Sequence, residues 1–306
     1  MRFRHAALRT GVAATAAAAL AVALTVNNGP DPAPMAAAPP APVAATPPAT
    51  PSPAPSSAPA LSARERSALT RALTNYLDDR DGRLSVAIKD LATGVSYSYA
   101  KGVRTATASV VKVDILVALL LQAQRDDRAL TASERSLAAR MIRQSDNAAA
   151  TALWNTIGGG PALDRANRRL GLRQTTAGPG AAWGSTTTGA ADQVRLLTAL
   201  TSKKSPLTAA HRAYVLRLMG GVVDEQAWGV SAAAGDGDTV ALKNGWLPRR
   251  VDGGAWTVTS MGRITGDAHD YLIAVVSAGH PSLSAGVTTV EHAAALTAKA
   301  VTRALA

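Results

Sequence analysis

The hydrophobic positions change period four times along this chain. From Ser62 the stretch "SARERSALTRALTNYLDDRDG" spaces its apolar residues as a helix does, with Ser62 as a cap, Glu65 three residues on and a glycine stop at Gly82. The next run, "RLSVAIKDLATGVSYSYAKG", alternates in two segments joined by a glycine turn, which predicts a hairpin. Helical spacing resumes at Ser109 and continues through "TASERSLAARMIRQ", "NAAATALWNTIG", "PALDRANRRLG", "GAADQVRLLTALT" and "TAAHRAYVLRLM". Beyond Gly221 the segments "TVALKNGW", "AWTVTSMGRIT" and "DYLIAVVSAG" alternate as an antiparallel meander, and a helix from about Ala285 to Leu305 closes the chain.

Strands at both ends with helices between them restrict the topology. The fold class is α+β: one antiparallel sheet assembled from both chain ends, flanked by the terminal helices, with an all-helical subdomain inserted between. Such an arrangement leaves a cleft between sheet and insertion, a usual place for a site.

The first 61 residues follow other rules. Arg2, Arg4, His5 and Arg9 precede the apolar run "GVAATAAAALAVALTV", Gly11 to Val26, as the charged and hydrophobic regions of a secretory signal do. At about 16 residues this run is short for crossing a bilayer. Residues 1–26 therefore read as a signal peptide, with an uncleaved anchor as the alternative, and a secreted or extracytoplasmic location is expected. Membrane contact is expected only through that segment. Residues 27–61 are rich in Pro and Ala, cannot bury a core, and read as an extended linker before a folded domain at 62–306.

Composition narrows the function classes. With 47% apolar residues in 306, a sizeable core is available. The net charge of +11 is dispersed, without a run of five basic residues, so no nucleic-acid partner is expected; a solvated basic surface or attraction to anionic cell-wall polymers fits better. The chain has no cysteine, which excludes disulfides, thiolate metal sites, a cysteine nucleophile and a lipidated cysteine. The histidines at 5, 211, 269, 280 and 292 lack metal spacing, and there is no Gly-x-Ser-x-Gly elbow. Neither a metal nor another cofactor is expected, nor a Ser-His-Asp hydrolase.

One helical segment carries an odd residue. In "TASVVKVDILVALLLQAQ" Lys112 sits among Val110, Val111, Val113, Ile115 and Leu116, three positions after Ser109. On a helix, positions three apart share a face, so serine and lysine can meet. A lysine among aliphatic side chains is partly desolvated, which favours the free amine, and a free amine can take a serine proton. The competing reading is a lysine that snorkels to water from an amphipathic helix. Usage argues for the first: only seven of the 32 basic residues are lysines, and arginine, which cannot act as a base, serves almost everywhere else.

Two further segments complete a set. Ser145, Asp146 and Asn147 open a helical run as Ser-Asp-Asn, and Lys243, Asn244 and Gly245 lie on a predicted strand as Lys-x-Gly. In this order, Ser-x-x-Lys, Ser-Asp-Asn and Lys-x-Gly are the motifs of class A β-lactamases and penicillin-binding proteins, and the chain resembles that family from about residue 62 to its end. The resemblance implies an acyl-enzyme on Ser109, formed with a β-lactam or a peptidoglycan-derived D-Ala-D-Ala-like amide, by a protein expected to be monomeric. Lys112 would be the activating base, Ser145 with Lys243 would pass a proton to the leaving nitrogen, and Asn147 would hold a substrate amide. The backbone N–H groups of Ser109 and Trp246, next to Gly245, would form the oxyanion hole. Asp146 would orient its turn or cap its helix.

The resemblance breaks in three places. The region "RANRRLGLRQTTAGPGAAWGSTTTGAA", Arg165 to Ala191, where the family carries its water-activating glutamate, contains no acid. Weak deacylation is the expectation. Asn244 replaces a hydroxyl residue that meets the substrate carboxylate with a bulkier amide that can still donate, so Asn244, with Gly245 and Trp246, is expected to bind substrate, and Arg249, Arg250 or Arg263 are further candidate partners for the carboxylate. Only 36 residues separate Ser109 from Ser145, which predicts a more open cleft. Trp183 and Trp246 either line that cleft or pack at its rim. A non-hydrolytic penicillin- or wall-binding module and a D,D-peptidase are the alternatives to a β-lactamase.

Overall fold

A computed structural model describes residues 60–304 of the protein. The expected signal segment and nearly all of the expected linker lie outside the described residues. The folded part opens with α1 (Ala63–Asp78), whose first turn is closed reciprocally: Ser62 Oγ accepts from the Glu65 amide, and Glu65 accepts from the Ser62 amide. The predicted hairpin follows as β1 (Arg83–Asp90) and β2 (Ser96–Tyr99). A short strand β3 (Thr105–Ala106) leads to the helical block α2 (Val111–Arg125), α3 (Ala132–Arg143), α4 (Asn147–Ile157) and α5 (Gly159–Arg169). Then come β4 (Thr187–Thr188), α6 (Ala190–Thr201) and α7 (Ala209–Met219). The meander β5 (Thr239–Pro248), β6 (Trp256–Thr265) and β7 (Asp270–His280) and the closing helix α8 (Leu283–Arg303) complete the chain.

The main sheet runs β2-β1-β7-β6-β5, antiparallel throughout, so the first hairpin docks on the last strand. That pairing welds the two chain ends together and confines the helical block to an insertion, as the strand pattern requires. Side-chain alternation then assigns the two faces. On β7, Tyr271, Ile273 and Val275 join Leu69 and Leu73 of α1 and Val290, Ala293 and Val301 of α8 in one core. Leu272, Ala274 and Val276 of the same strand join α2 and the other inserted helices in a second core. Because both faces are covered, β7 is buried almost end to end.

Helix α2 is buried on every side, with Val113, Ile115, Leu116, Leu119 and Leu120 all at 0% exposure. A helix enclosed all round offers no wet face, so the snorkelling route for Lys112 is closed. The start of this segment differs from the sequence expectation. Regular α-helix begins at Val111, and Ser109 belongs to a single tighter turn, Ala108–Val110, that feeds it. The two-residue ribbon β3–β4, too short to leave a periodic signal, ties the chain just before this turn to the segment before α6.

Candidate active site

Ser109 is half-buried on its turn, which is gripped from both sides through Thr107. The Thr107 amide donates to the Thr186 carbonyl at 2.7 Å, and the Thr107 carbonyl accepts from Thr259 Oγ1 at 2.8 Å. Between them, Ala108 is held in left-handed backbone at φ 47°, a conformation costly for a residue with a Cβ. The nucleophile candidate is thus presented on a strained, cross-braced turn.

Lys112 projects from the first turn of α2 toward the start of α4. Its Nζ donates to the Ser145 carbonyl at 2.5 Å, to Asn147 Oδ1 at 2.7 Å and to Ser145 Oγ at 3.1 Å. The side chain is wholly buried. Burial pushes the amine down to about 7, against the opposing charge of Asp146. The Trp183 ring covers it, with Nζ 5.0 Å from the ring centroid. Among the described residues no hydrogen bond joins the Ser109 hydroxyl to Lys112; the hydrogen bonds of this amine go to the Ser-Asp-Asn turn instead.

That turn is shaped to receive it. Ser145 adopts a left-handed φ of 56°, and its carbonyl accepts from the amine. Asp146 is the cap of α4, its Oδ1 accepting from the Ala149 amide at 2.9 Å while Oδ2 lies 3.5 Å from Arg140 Nε. Its carboxyl is held below the usual range, first by those amide bonds. Of the two readings of Asp146, the geometry gives the helix cap.

On β5, alternate residues part company. Lys243 is fully buried, donates to the Asn244 carbonyl at 2.8 Å, and is pushed well below the ordinary lysine value by burial and by the nearby charge of Lys112. Among the described residues it makes no hydrogen bond to Ser145. Gly245 faces the nucleophile turn so closely that a Cβ there would lie 2.6 Å from the Ser109 nitrogen and 2.7 Å from the Thr107 carbonyl oxygen. The glycine of Lys-x-Gly is required by space. Trp246 is half-buried and packs at a tilt on Trp228, ring centroids 5.6 Å apart.

Asn244 corrects an expectation. Its side chain points to the opposite face of β5 and is fully buried, its amide donating to the Gln226 and Trp228 carbonyls and its Oδ1 accepting from Ser260. No N–H remains on it for a substrate carboxylate, since every amide position is spent inside the fold. Arg263 is also committed, in a bidentate pair with Asp270 at 2.7 Å. Arg249 pairs with Asp252 in the β5–β6 connection, beside exposed Arg250.

A model of the family described as "Beta-lactamase enzyme family" matches residues 68–134 and 127–304. The chain belongs to the β-lactamase enzyme family. The protein named "Putative lipoprotein LppW" of Mycobacterium tuberculosis and of Mycobacterium bovis is 29% identical over 199 residues, 63% of this chain. The match spans 62% of the length of those relatives, under two thirds. Among solved structures, a variant of the last common ancestor of Gram-negative class A β-lactamases (GNCA4) superposes with a TM-score of 0.67 at 21% identity, covering 77% of this chain and 99% of that one. The TLA-1 extended-spectrum β-lactamase gives 0.68 at 18%, covering 79% and 99%. A PBP-A acyl-enzyme with penicillin G gives 0.65 at 18%, covering 78% and 97%. At these identities the likeness is one of fold: the α+β architecture of class A β-lactamases.

Within this family architecture, the acid-free stretch is braced from outside by the two acids that flank it. Asp164 Oδ1 accepts from the Ala177 amide at 2.9 Å, and Asp192 Oδ2 accepts from the Gln174 amide and Thr175 Oγ1. Both carboxylates are spent on loop backbone or hydroxyl, and among the described residues none hydrogen-bonds Ser109, Lys112 or Ser145. From this acid-free stretch Trp183 sets its indole against the Lys112 amine.

Sequence reasoning passed over three participants. Thr107 and Thr259 hold the nucleophile turn across 152 residues of chain, a contact for which no local pattern exists. Asp114, two positions past Lys112, is buried with both carboxyl oxygens unpartnered, and burial raises it to about 8. Its signal in the sequence is an acid inside the aliphatic run.

Proposed function

We propose that this protein is an exported active-site-serine enzyme that forms an acyl-enzyme on Ser109 with a β-lactam or a D-Ala-D-Ala-like amide and releases it slowly. The observation that carries the reading is the wholly buried Lys112 amine, held by Ser145 and Asn147 one helical turn after Ser109; burial also lowers it to about 7. As a neutral amine it has two N–H groups for the Ser145 carbonyl and Asn147 Oδ1, and a lone pair for the Ser109 proton once substrate brings the two together. Ser145 Oγ, 3.1 Å from Nζ, offers that proton a route to the leaving nitrogen. Lys243 would assist Ser145 in that proton transfer, and the N–H groups of Ser109 and Trp246 would receive the carbonyl oxygen. No metal or cofactor enters this scheme.

Slow release is supported by the same geometry. Attack on an ester by water needs a base in reach, and the nearby acids are capping a helix or bracing a loop. A penicillin-binding or D,D-peptidase role is therefore favoured over rapid β-lactam turnover. An extracytoplasmic location rests on residues 1–26 and on the printed name of the mycobacterial relatives; lacking cysteine, this chain has no thiol for a thioether-linked lipid anchor.

Intact-protein mass spectrometry during exposure to penicillin tests the reading. The wild-type chain is expected to gain the mass of one opened penicillin and keep it after the free drug is removed, while Ser109→Ala gains none. No adduct on the wild type, or an equal adduct on the variant, overturns the acyl-enzyme. Sustained turnover of a chromogenic cephalosporin overturns slow release alone.

A further inference from the structure

One cavity, of about 660 Å³, lies away from Ser109. It opens between the edge of the sheet at β1 and β2, the C-terminal end of α5, and α6 with the loop that follows it. Lys89, Arg168, Arg169 and Lys204 line it together with Arg195, and no acidic residue does. Arg195 is paired with Asp192. Among the described residues the side chains of the other four make no ion pair and no hydrogen bond, so four cations converge on one cleft with no anion to neutralise them. Hydroxyls of Ser96, Ser98, Ser202 and Ser205 supply neutral donors around them.

The basic lining continues past this cleft. Arg168 and Gly171 also border a second cavity of about 640 Å³ that includes Arg173, and Arg169 borders a third of about 110 Å³ with Arg125 and Arg165. One acid, Asp164, lines the second cavity, and its Oδ1 is engaged by the Ala177 amide. Arg168 and Arg169 also complement the carbonyl end of α5. That accounts for their place on the helix, but not for Lys89 of β1 converging on the same hollow. A tract of adjoining cavities that share arginines fits an elongated anion better than a single small one.

We propose that this cleft is a binding site for a linear phosphate-bearing polyanion, seated by Lys89, Arg168, Arg169 and Lys204 and separate from the Ser109 site. Guanidinium forks match phosphate oxygens in pairs, and lysines add point charge. The phosphates belong either to a soluble phosphodiester-type chain or to an array of lipid headgroups; the recognising chemistry is the same. For a protein facing the cell envelope, such a site would hold the enzyme beside an anionic polymer or surface while the Ser109 cleft stays free.

The test uses the full chain and two triple variants of equal charge. Arg168→Gln/Arg169→Gln/Lys204→Gln empties the cleft, while Arg64→Gln/Lys299→Gln/Arg303→Gln removes three exposed cations from α1 and α8. Retention is measured on short-chain inorganic polyphosphate and on phosphatidylglycerol vesicles, over a series of salt concentrations. The cleft triple is expected to lose about tenfold or more in affinity and to show a shallower salt dependence, with the α1/α8 triple close to wild type. Loss on polyphosphate alone identifies a soluble chain, and loss on vesicles identifies headgroups. Equal losses for both triples, or no retention of the wild type on either probe at moderate salt, overturn the site. Far-UV circular dichroism and a thermal melt, unchanged in the cleft triple, show that the variant is folded.

Discussion

Gly245 of β5 is pressed against Ser109: a methyl group on its α-carbon would stand 2.6 Å from the serine nitrogen, far inside contact distance. A strand from the end of the chain thus sets the position of a turn near its middle. The relationship makes the glycine answerable to packing at the reacting residue, and it can be broken with one carbon atom.

Gly245→Ala is expected to push the nucleophile turn off β5. Overpacking of this kind costs about 1–3 kcal/mol, and misplacement of the serine is expected to slow penicillin acylation by about 100-fold. Thermal melting and the rate of adduct formation read the two effects separately. An alanine variant that acylates at the wild-type rate would show that this contact does not place Ser109.

Thr259→Val removes the hydroxyl that the Thr107 carbonyl accepts from, while keeping the shape of the side chain. A loss of about 1 kcal/mol in stability is expected, with slower acylation but an unaltered pH profile, because the threonine positions the turn and does not carry the proton. A shifted profile would instead place Thr259 in the proton path.

Lys112 should set that profile. With the amine lowered to about 7, the reactive free base is lost as the pH falls, so acylation is expected to drop tenfold per unit below about 7 and to level off above it. Lys112→Arg, which cannot lose its proton, is expected to acylate about 1,000-fold more slowly or worse. Stopped-flow acylation across pH 5 to 9 checks both, and a flat wild-type profile would remove lysine as the base.

Asp114 should leave its mark on stability. An ordinary aspartate ionises near 3.9 when unfolded, whereas this one is raised to about 8 in the fold, so between those values the folded state keeps a proton that the unfolded chain has lost. Stability contributed by this group therefore falls as pH rises through that window, and the full penalty is present above 8. Asp114→Asn is expected to be more stable than wild type near pH 8 by at least about 1 kcal/mol, with the gap narrowing toward pH 5. Denaturant unfolding at both pH values decides it; a gap of constant size would assign the effect to packing alone.

Replacing Asn244 should damage the fold before it touches the chemistry. Asn244→Ala strands the Gln226 and Trp228 carbonyls and Ser260 Oγ in the interior, at a cost of about 1–3 kcal/mol. The acylation pH profile is expected to keep its midpoint. A variant as stable as wild type but impaired in substrate affinity would return Asn244 to the substrate-binding role that its motif position suggests.

The sequence by itself determined the order of elements and the ordered triple of motifs, because hydrophobic periodicity and residue spacing are local properties. It announced that Lys112 was out of place, since an ammonium inside an aliphatic helix needs a reason wherever that helix goes. Tertiary structure decided the rest. Whether α2 keeps a wet face depends on what packs around it, and only the closed insertion shows that none is left. The pleat of β5 sends Gly245 to the serine and Asn244 to the opposite core, which a motif read as three letters does not distinguish. The bond from Thr259 to Thr107, and the cavity that Lys89 lines with Arg168 and Arg169, bring together residues far apart in the chain, and relationships of that range leave no trace in local pattern; they exist only once burial of the two cores has brought the strands and helices together.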